Sequence, residues 1–492
     1  MISVPKKIFL LVLVLILSIP MSMQLSTGES DTTPLRIHLS WEGDPRTEIT
    51  VMWETAGAAD SLVEYGSDNS YGYSTQGARS KPRWASGHIH QVKLAGLTPD
   101  TEYHYRCGSS EYWSGDFTFR TAPEGAKDFS FIVMGDSRNP SDNNDDLNGW
   151  EMVVQAIGDD IRENEGKYGF MHFLGDNIYN PNQQLVWEKW FDILSIVSRE
   201  TVFMESIGNH EYDYYTSEVV PNYFGQFAFP GNELWYSYNY CNAHIISLDT
   251  ESDYSPHSPQ YRWLLDDLEQ VSSDDDNKWI IVTFHRPPFT SGGKGTEDIR
   301  EYLCPLFDQY GVDLVLAGHM HVYERFYPLD QTGKVMDYNS SFYDDPPVPI
   351  YIVDGCAGAP QYSSYPKDWT AYMEKEFGYS RISISHQGTL HFEHLRVEGG
   401  QRSVVDDFII SKEDARYRIE DNKSTENKTT ISGTVILVAA IVIVIIGIVC
   451  FVLWFSMRDR DRENNSMEIN ESSVVTLNPG AEKPATREGK VK

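Results

Sequence analysis

Between residue 35 and about residue 123, apolar and polar positions alternate in short runs: "RIHLSW", "EITVMWET", "SLVEYG", "HIHQVKLAGL", "TEYHYRCG" and "GDFTFRT". A period of two places successive side chains on opposite faces of a strand. Short polar or Gly/Pro turns separate the runs, so the segment 35–123 predicts a small β-sandwich. "TAPEGAKD" then reads as a linker. From about 128 to 400 the pattern changes to nearly continuous apolar runs, "FSFIVMGD", "GFMHFLGD", "AHIISLDT", "WIIVTFH", "DLVLAGH" and "PIYIVDG", alternating with helix-like stretches. Strands covered on both faces read this way, so an α/β core is expected.

The two ends add a membrane to the picture. "MISVPKKIFLLVLVLILSIPMSM" sets Lys6 and Lys7 before an apolar run and small residues, the layout of a secretory signal over 1–23. A polar stalk is expected over 401–430, then a transmembrane helix over 431–456. Its core, "VILVAAIVIVIIGIVCFVLWF", is uncharged and long enough to cross about 30 Å of hydrocarbon. "RDRDR" follows and places the tail, 457–492, in the cytoplasm, where its composition predicts disorder. The expectation is a single-pass type I protein of the cell membrane, its bulk outside the cell.

Composition narrows the function. At 492 residues the chain is long enough for two or more folded units. A formal charge of -32 excludes nonspecific binding to nucleic acid, which needs clustered Lys and Arg. Cys450 falls in the membrane span, leaving Cys107, Cys241, Cys304 and Cys356, enough for up to two bridges in any of three pairings. Asn339, Asn422 and Asn427 open N-x-S/T sequons on the expected outer side.

Five blocks end strands or turns with side chains able to hold metal: "MGDSR" with Asp136, "LGDNIY" with Asp176 and Tyr179, "SIGNHEY" with Asn209 and His210, "VTFH" with His285, and "AGHMH" with His319 and His321. Open α/β sheets build their sites at such strand ends. Gly-Asp alone is ordinary turn chemistry, and "GHMH" alone, two imidazoles on one side of an extended segment, is a weak sign of metal. All five within one expected domain make a constellation. His172 and His244, inside apolar runs, read instead as satisfied core groups.

The order GD, GD, GNH, lone His, GHxH resembles the calcineurin-like metallophosphoesterases, and within them the purple acid phosphatases. In the wider superfamily a histidine usually follows the first aspartate by two residues; here that position is Arg138, while "GDxxY" is matched by Asp176 and Tyr179. "HLSWEGDPRTEITVMWET" and "GLTPDTEYHYRCG" resemble the fibronectin type III-like N-terminal domain of the larger members. The resemblance spans about 35–400 and implies a β-sandwich followed by a mixed β-sandwich flanked by helices.

It further implies ferric iron held by Asp136, Asp176, Tyr179 and His321, anionic oxygens suiting a hard trivalent ion. A divalent metal (Zn, Fe or Mn) would be held by Asp176, Asn209, His285 and His319, a mixed oxygen and nitrogen set. Two ions roughly 3.5–4 Å apart polarise a phosphoryl group, and hydroxide held by them attacks phosphorus in line. His210 is expected to protonate the leaving alkoxide. Arg138 and Arg286 are candidates for holding substrate phosphate, as is Lys294, which reads equally well as a solvated loop charge. Glu324 and Arg325 are expected to orient the histidine loop. The implied activity is hydrolysis of small extracellular phosphate monoesters; a phosphodiesterase with the same centre, or a cell-surface binding or adhesion protein with a degenerate enzyme domain, are the alternatives.

Overall fold

The computed structural model describes residues 31–81, 85, 87–138, 148–274, 279–293 and 295–412. The expected signal segment, transmembrane helix, tail and most of the stalk lie outside these residues, as do Asn422, Asn427, Cys450 and Lys294. Among the described residues no helix is long and apolar enough to cross a membrane.

The N-terminal alternation folds into two four-stranded sheets. One joins Leu35–Ser40, Glu48–Thr55, His88–Ala95 and Ala78–Ser80 in that order; the other joins Tyr73–Gln76, Leu62–Gly66, Glu102–Gly108 and Phe117–Arg120. Their inward positions, among them Val51, Trp53, Val92, Tyr105 and Phe119, share one core. The strands "YSTQ" and "ARS" escaped the pattern because they are sheet margins with almost no buried position.

Two seven-stranded sheets follow. The first runs in the order Val202–Glu205, Tyr168–Phe173, Phe129–Met134, Gly378–Ile384, Thr389–Glu398, Gln401–Ser411, Phe342–Asp344; the second Tyr236–Tyr240, Ala243–Ser247, Trp279–Phe284, Leu314–Ala317, Ile350–Asp354, Tyr323–Phe326, Thr370–Glu374. Strands of the second sheet feed two cores from alternate residues. Ile245, Ile281, Leu314 and Ile352 join the main core, whereas Ile246, Val282, Val315 and Val353 pack with Leu264, Leu268, Ile299 and Phe307 of the covering helices. Burial on both faces is why these strands read as unbroken apolar runs.

Helix Gln184–Ser198 joins the sandwich to the α/β part. Arg36 reaches Glu54 and the carbonyl of Glu188 at 2.9 Å each, and the His38 ring stacks on Phe191. On the same helix, Trp190 donates to Ser137 Oγ at 2.8 Å, and Ser137 donates to the Asn177 carbonyl at 2.7 Å. The helix thereby fixes the residue between Asp136 and Arg138.

Two expectations need correction, and the open question of cysteine pairing is answered. Gln401–Ser411 is a strand paired along Thr389–Glu398, so the stalk does not begin at residue 401. Backbone pairing carries this strand, whose alternate residues face solvent, and its polar half resembles a linker. Cys107, Cys241, Cys304 and Cys356 are free thiols; none bridges another. The "GHMH" segment is not extended: His319 takes a φ of 68° and its two histidines face different neighbours.

Candidate metal centre

Each of the five blocks sits where a strand gives out. Asp136 follows Phe129–Met134, Asp176 follows Tyr168–Phe173, Asn209 opens a 3-10 turn after Val202–Glu205, His285 ends Trp279–Phe284, and His319 and His321 follow Leu314–Ala317. The turns are laced together: Asp136 N–H donates to the Gly175 carbonyl, Arg138 N–H to the Asp176 carbonyl and Gly318 N–H to the His285 carbonyl, each at 3.0 Å. Two glycines make the approach possible. A Cβ at Gly208 would stand 2.4 Å from Asp176 N, and one at Gly318 2.5 Å from Asp136 Oδ2. Asp136, Arg138, Asp176 and His319 all hold positive φ, a conformation costing about 1–3 kcal/mol each and concentrated at functional sites.

The turns bring ligand atoms into two groups, Asp176 with His285 and His319, and Asp136 with Asp176 and His321. Asp176 belongs to both. His285 Nδ1 donates to the Leu174 carbonyl at 2.7 Å, which turns Nε2 toward Asp176 Oδ1 at 3.1 Å, Asn209 Oδ1 at 3.2 Å and His319 Nδ1 at 3.2 Å. His321 Nδ1 likewise donates to the Pro360 carbonyl at 2.8 Å and leaves Nε2 3.5 Å from Asp136 Oδ1. Anchoring one ring nitrogen to a fixed acceptor while the other faces inward is how metal-binding histidines are oriented.

The donor set fits a cation. Asp136 Oδ1 and Asp176 Oδ2 are buried without a hydrogen-bond partner, and an ionised oxygen so placed is costly unless a positive charge meets it. Burial alone would raise the Asp176 carboxyl, but the His285 imidazole and its hydrogen bond outweigh this and hold it low. Burial opposes charge on His285 too, yet Asp176 pushes it up to about 10. The pair thus holds a proton where a cation would sit. His319 is driven down to about 3 by burial and then by His285 and Arg286.

The remaining candidates surround these groups. Asn209 joins through His285. The Tyr179 ring, 48% exposed, lies 5.4 Å from the His210 ring and 5.6 Å from the Arg138 guanidinium. His210 N–H donates to Asp176 Oδ1 at 2.9 Å, and its Nδ1 donates to the Tyr179 carbonyl at 3.0 Å. Burial lowers its pKa, with Asp176 opposing. Arg138 Nη1 reaches His321 Nε2 at 3.0 Å and its Nε lies 3.9 Å from Asp176 Oδ2. Arg286 is gripped by Glu251 at 2.5 and 3.0 Å, with Nη1 3.2 Å from His319 Nε2. Its charge is therefore largely spoken for.

Glu324 and Arg325 do not orient the histidine loop. Glu324 accepts from Ser291, Thr290 and Ser364, while Arg325 binds Asp406, Tyr343 and the Ser340 carbonyl. His172 and His244 are satisfied core groups, His172 bonded to Tyr238 and Ser206, His244 to Asn239 and Asp267.

Three residues at the site went unread in the sequence. Glu211 accepts from the N–H groups of Asp176, Asn177 and Gly208 at 2.9–3.0 Å, bracing two of the turns. Its place in "GNHEY" beside two candidates was the available signal. Tyr362 stacks on His321 with centroids 4.0 Å apart and accepts from Arg138 at 3.1 Å, and Glu251 holds Arg286. Both lie far along the chain, in loops without a pattern.

The chain is similar to known proteins along most of its described length. Residues 34–121 match the pattern of the purple acid phosphatase N-terminal domain, 129–323 that of calcineurin-like phosphoesterases, and 348–407 that of the iron/zinc purple acid phosphatase-like C-terminal region. Acid phosphatase type 7 of Homo sapiens is 30% identical over 434 residues, 80% of this chain and 95% of that protein. Purple acid phosphatase 21 of Arabidopsis thaliana is 29% identical, over 78% of this chain and 86% of its own. The fold is shared with a purple acid phosphatase from yellow lupin seeds, at a TM-score of 0.69 and 23% identity over 78% of this chain and 75% of that one. Likeness along most of both chains makes this protein a phosphatase belonging to the purple acid phosphatase family.

Proposed function

We propose that the protein releases phosphate from small phosphate monoesters outside the cell, at a centre holding ferric iron and one divalent metal (zinc, iron or manganese). The observation that carries this is the position of Asp176, a buried carboxylate shared by two groups of ligand atoms. Asp136, Asp176, Tyr179 and His321 would hold the ferric ion; Asp176, Asn209, His285 and His319 the divalent one. When bound, the two cations supply Lewis acidity, neutralising charge on the ester and acidifying water.

The chain's own residues do the rest. Arg138 extends into the space between His321 and the Tyr179 ring, where its guanidinium can take phosphate oxygens through charge-assisted hydrogen bonds. Arg286, paired with Glu251, acts instead as support for His319. His210 is the proton donor: its Nδ1–H is committed to the Tyr179 carbonyl, so the proton given to the leaving alkoxide is carried on Nε2. Backbone donation from His210 to Asp176 Oδ1 keeps the imidazole beside the reacting centre.

The extracellular, single-pass arrangement rests on the signal-like segment 1–23 and the apolar stretch within 431–456. Asn339, which opens a sequon, is exposed in a loop. The test is turnover of an aryl phosphate monoester beside the corresponding diester by the metal-loaded protein. Faster monoester hydrolysis is expected; preference for the diester would overturn the substrate assignment while leaving the metal chemistry in place.

A further inference from the structure

Close behind the candidate centre lies another group of ligand atoms that the chemistry above leaves unused. One such atom from each of Asp354, Cys356 and His394 lies within 4.8 Å of the other two, and the residues are 1%, 0% and 0% exposed. Asp354 ends the strand Ile350–Asp354, and His394 faces Ser380 across the antiparallel pair Gly378–Ile384 and Thr389–Glu398.

The hydrogen bonds decide which atoms remain free. Ser380 Oγ lies 2.5 Å from Asp354 Oδ2 and 3.0 Å from His394 Nδ1. Its single proton goes to the carboxylate, so it accepts from Nδ1–H, and His394 Nε2 is left with a lone pair. Asp354 Oδ1 and His394 Nε2 are both buried without a partner. Two lone-pair acceptors cannot satisfy one another, and leaving each unmet costs about 1–3 kcal/mol. The surroundings hold the arrangement. Tyr323 stacks on His394 at 3.7 Å between centroids, and a Cβ at Gly378 would intrude to 2.8 Å from Nε2.

We propose that Asp354 Oδ1, Cys356 Sγ and His394 Nε2 bind a third metal ion, zinc, at a closed structural site. Carboxylate, thiolate and imidazole form a borderline-soft set that zinc accepts in tetrahedral geometry. Gln361 Oε1, 3.8 Å from Cys356 Sγ, supplies the fourth ligand. Ser380 is the outer-shell partner of two ligands at once. Zinc bonds of about 2.0–2.3 Å require these side chains to draw inward from their present spacing. Binding releases the Cys356 thiol proton to solvent. The ion would brace the catalytic centre, because Gly355 stands between two of its ligands and a Cβ there would lie 3.0 Å from Asp136 Oδ2.

The test uses the full-length protein, and sulfur is its marker, because the candidate catalytic set contains none. Elemental analysis of the purified protein should find about one zinc equivalent more in the parent than in Cys356→Ser. Cobalt-loaded parent should show a thiolate-to-cobalt charge-transfer band that Cys356→Ser lacks and that His394→Gln weakens. Equal metal content in parent and variant, or cobalt-loaded parent without a sulfur band, would overturn the site. The parent's spectrum decides even if a variant fails to fold.

Discussion

At the scale of single residues, the centre depends on groups that hold other groups. His210→Ala should leave both metals bound, since His210 is not among the proposed ligands, and slow esters with poor leaving groups by about 10²–10⁴-fold. Kinetics across a series of leaving groups checks this; an equal loss for good and poor leaving groups would assign His210 to support alone. Glu211 receives three backbone N–H groups, which together engage both of its carboxyl oxygens. Glu211→Gln should turn an amide donor against one of those N–H groups and loosen the turns at Asp176 and Gly208. Metal retention under a chelator should fall about 10–100-fold, the range for losing an outer-shell partner.

At the scale of elements, legibility followed periodicity. The doubly buried strands that lead to the candidate ligands were plain, because alternate residues such as Ile245 and Ile246 serve two cores and neither position can be polar. Thr389–Glu398 and Gln401–Ser411 mix His, Glu, Arg and Asp with apolar residues, since one face of each is partly open, and their run was not read as sheet. The candidate Asp, His and Asn ligands were legible because motif order survives in one dimension. Tyr362 and Glu251 were not, because only the fold brings their loops to the site. The C-terminal strand is tied in by Asp406, which accepts from Arg325 at 2.7 Å and from Tyr323 at 2.7 Å, all three buried. Asp406→Ala would leave the guanidinium buried and unpaired, a loss of about 3–5 kcal/mol measurable by denaturant unfolding.

At the scale of the whole molecule, buried neutral histidines predict sensitivity to acid. Burial lowers His90 from 6.5 to about 4 and His172 from 6.5 to about 3. Below pH 6.5 the unfolded chain takes up these protons before the folded one, so their contribution to stability is full above 6.5 and is lost as pH falls toward 4 and 3. Asp313 runs the other way, raised by burial to about 6 despite Lys412, so its contribution falls as pH rises through that value. Urea unfolding between pH 7 and 4 should therefore show a shallower acid loss in His90→Gln than in the parent.

The most direct test of the two-metal account is the metal content of Asp176→Asn beside that of the parent, with phosphate release from an aryl phosphate measured on the same samples. Because Asp176 is shared by both groups of ligand atoms, the folded variant should lose both catalytic metals together with its activity. A folded variant that keeps both metals, or a parent that holds neither and releases no phosphate when iron and a divalent metal are supplied, would contradict it.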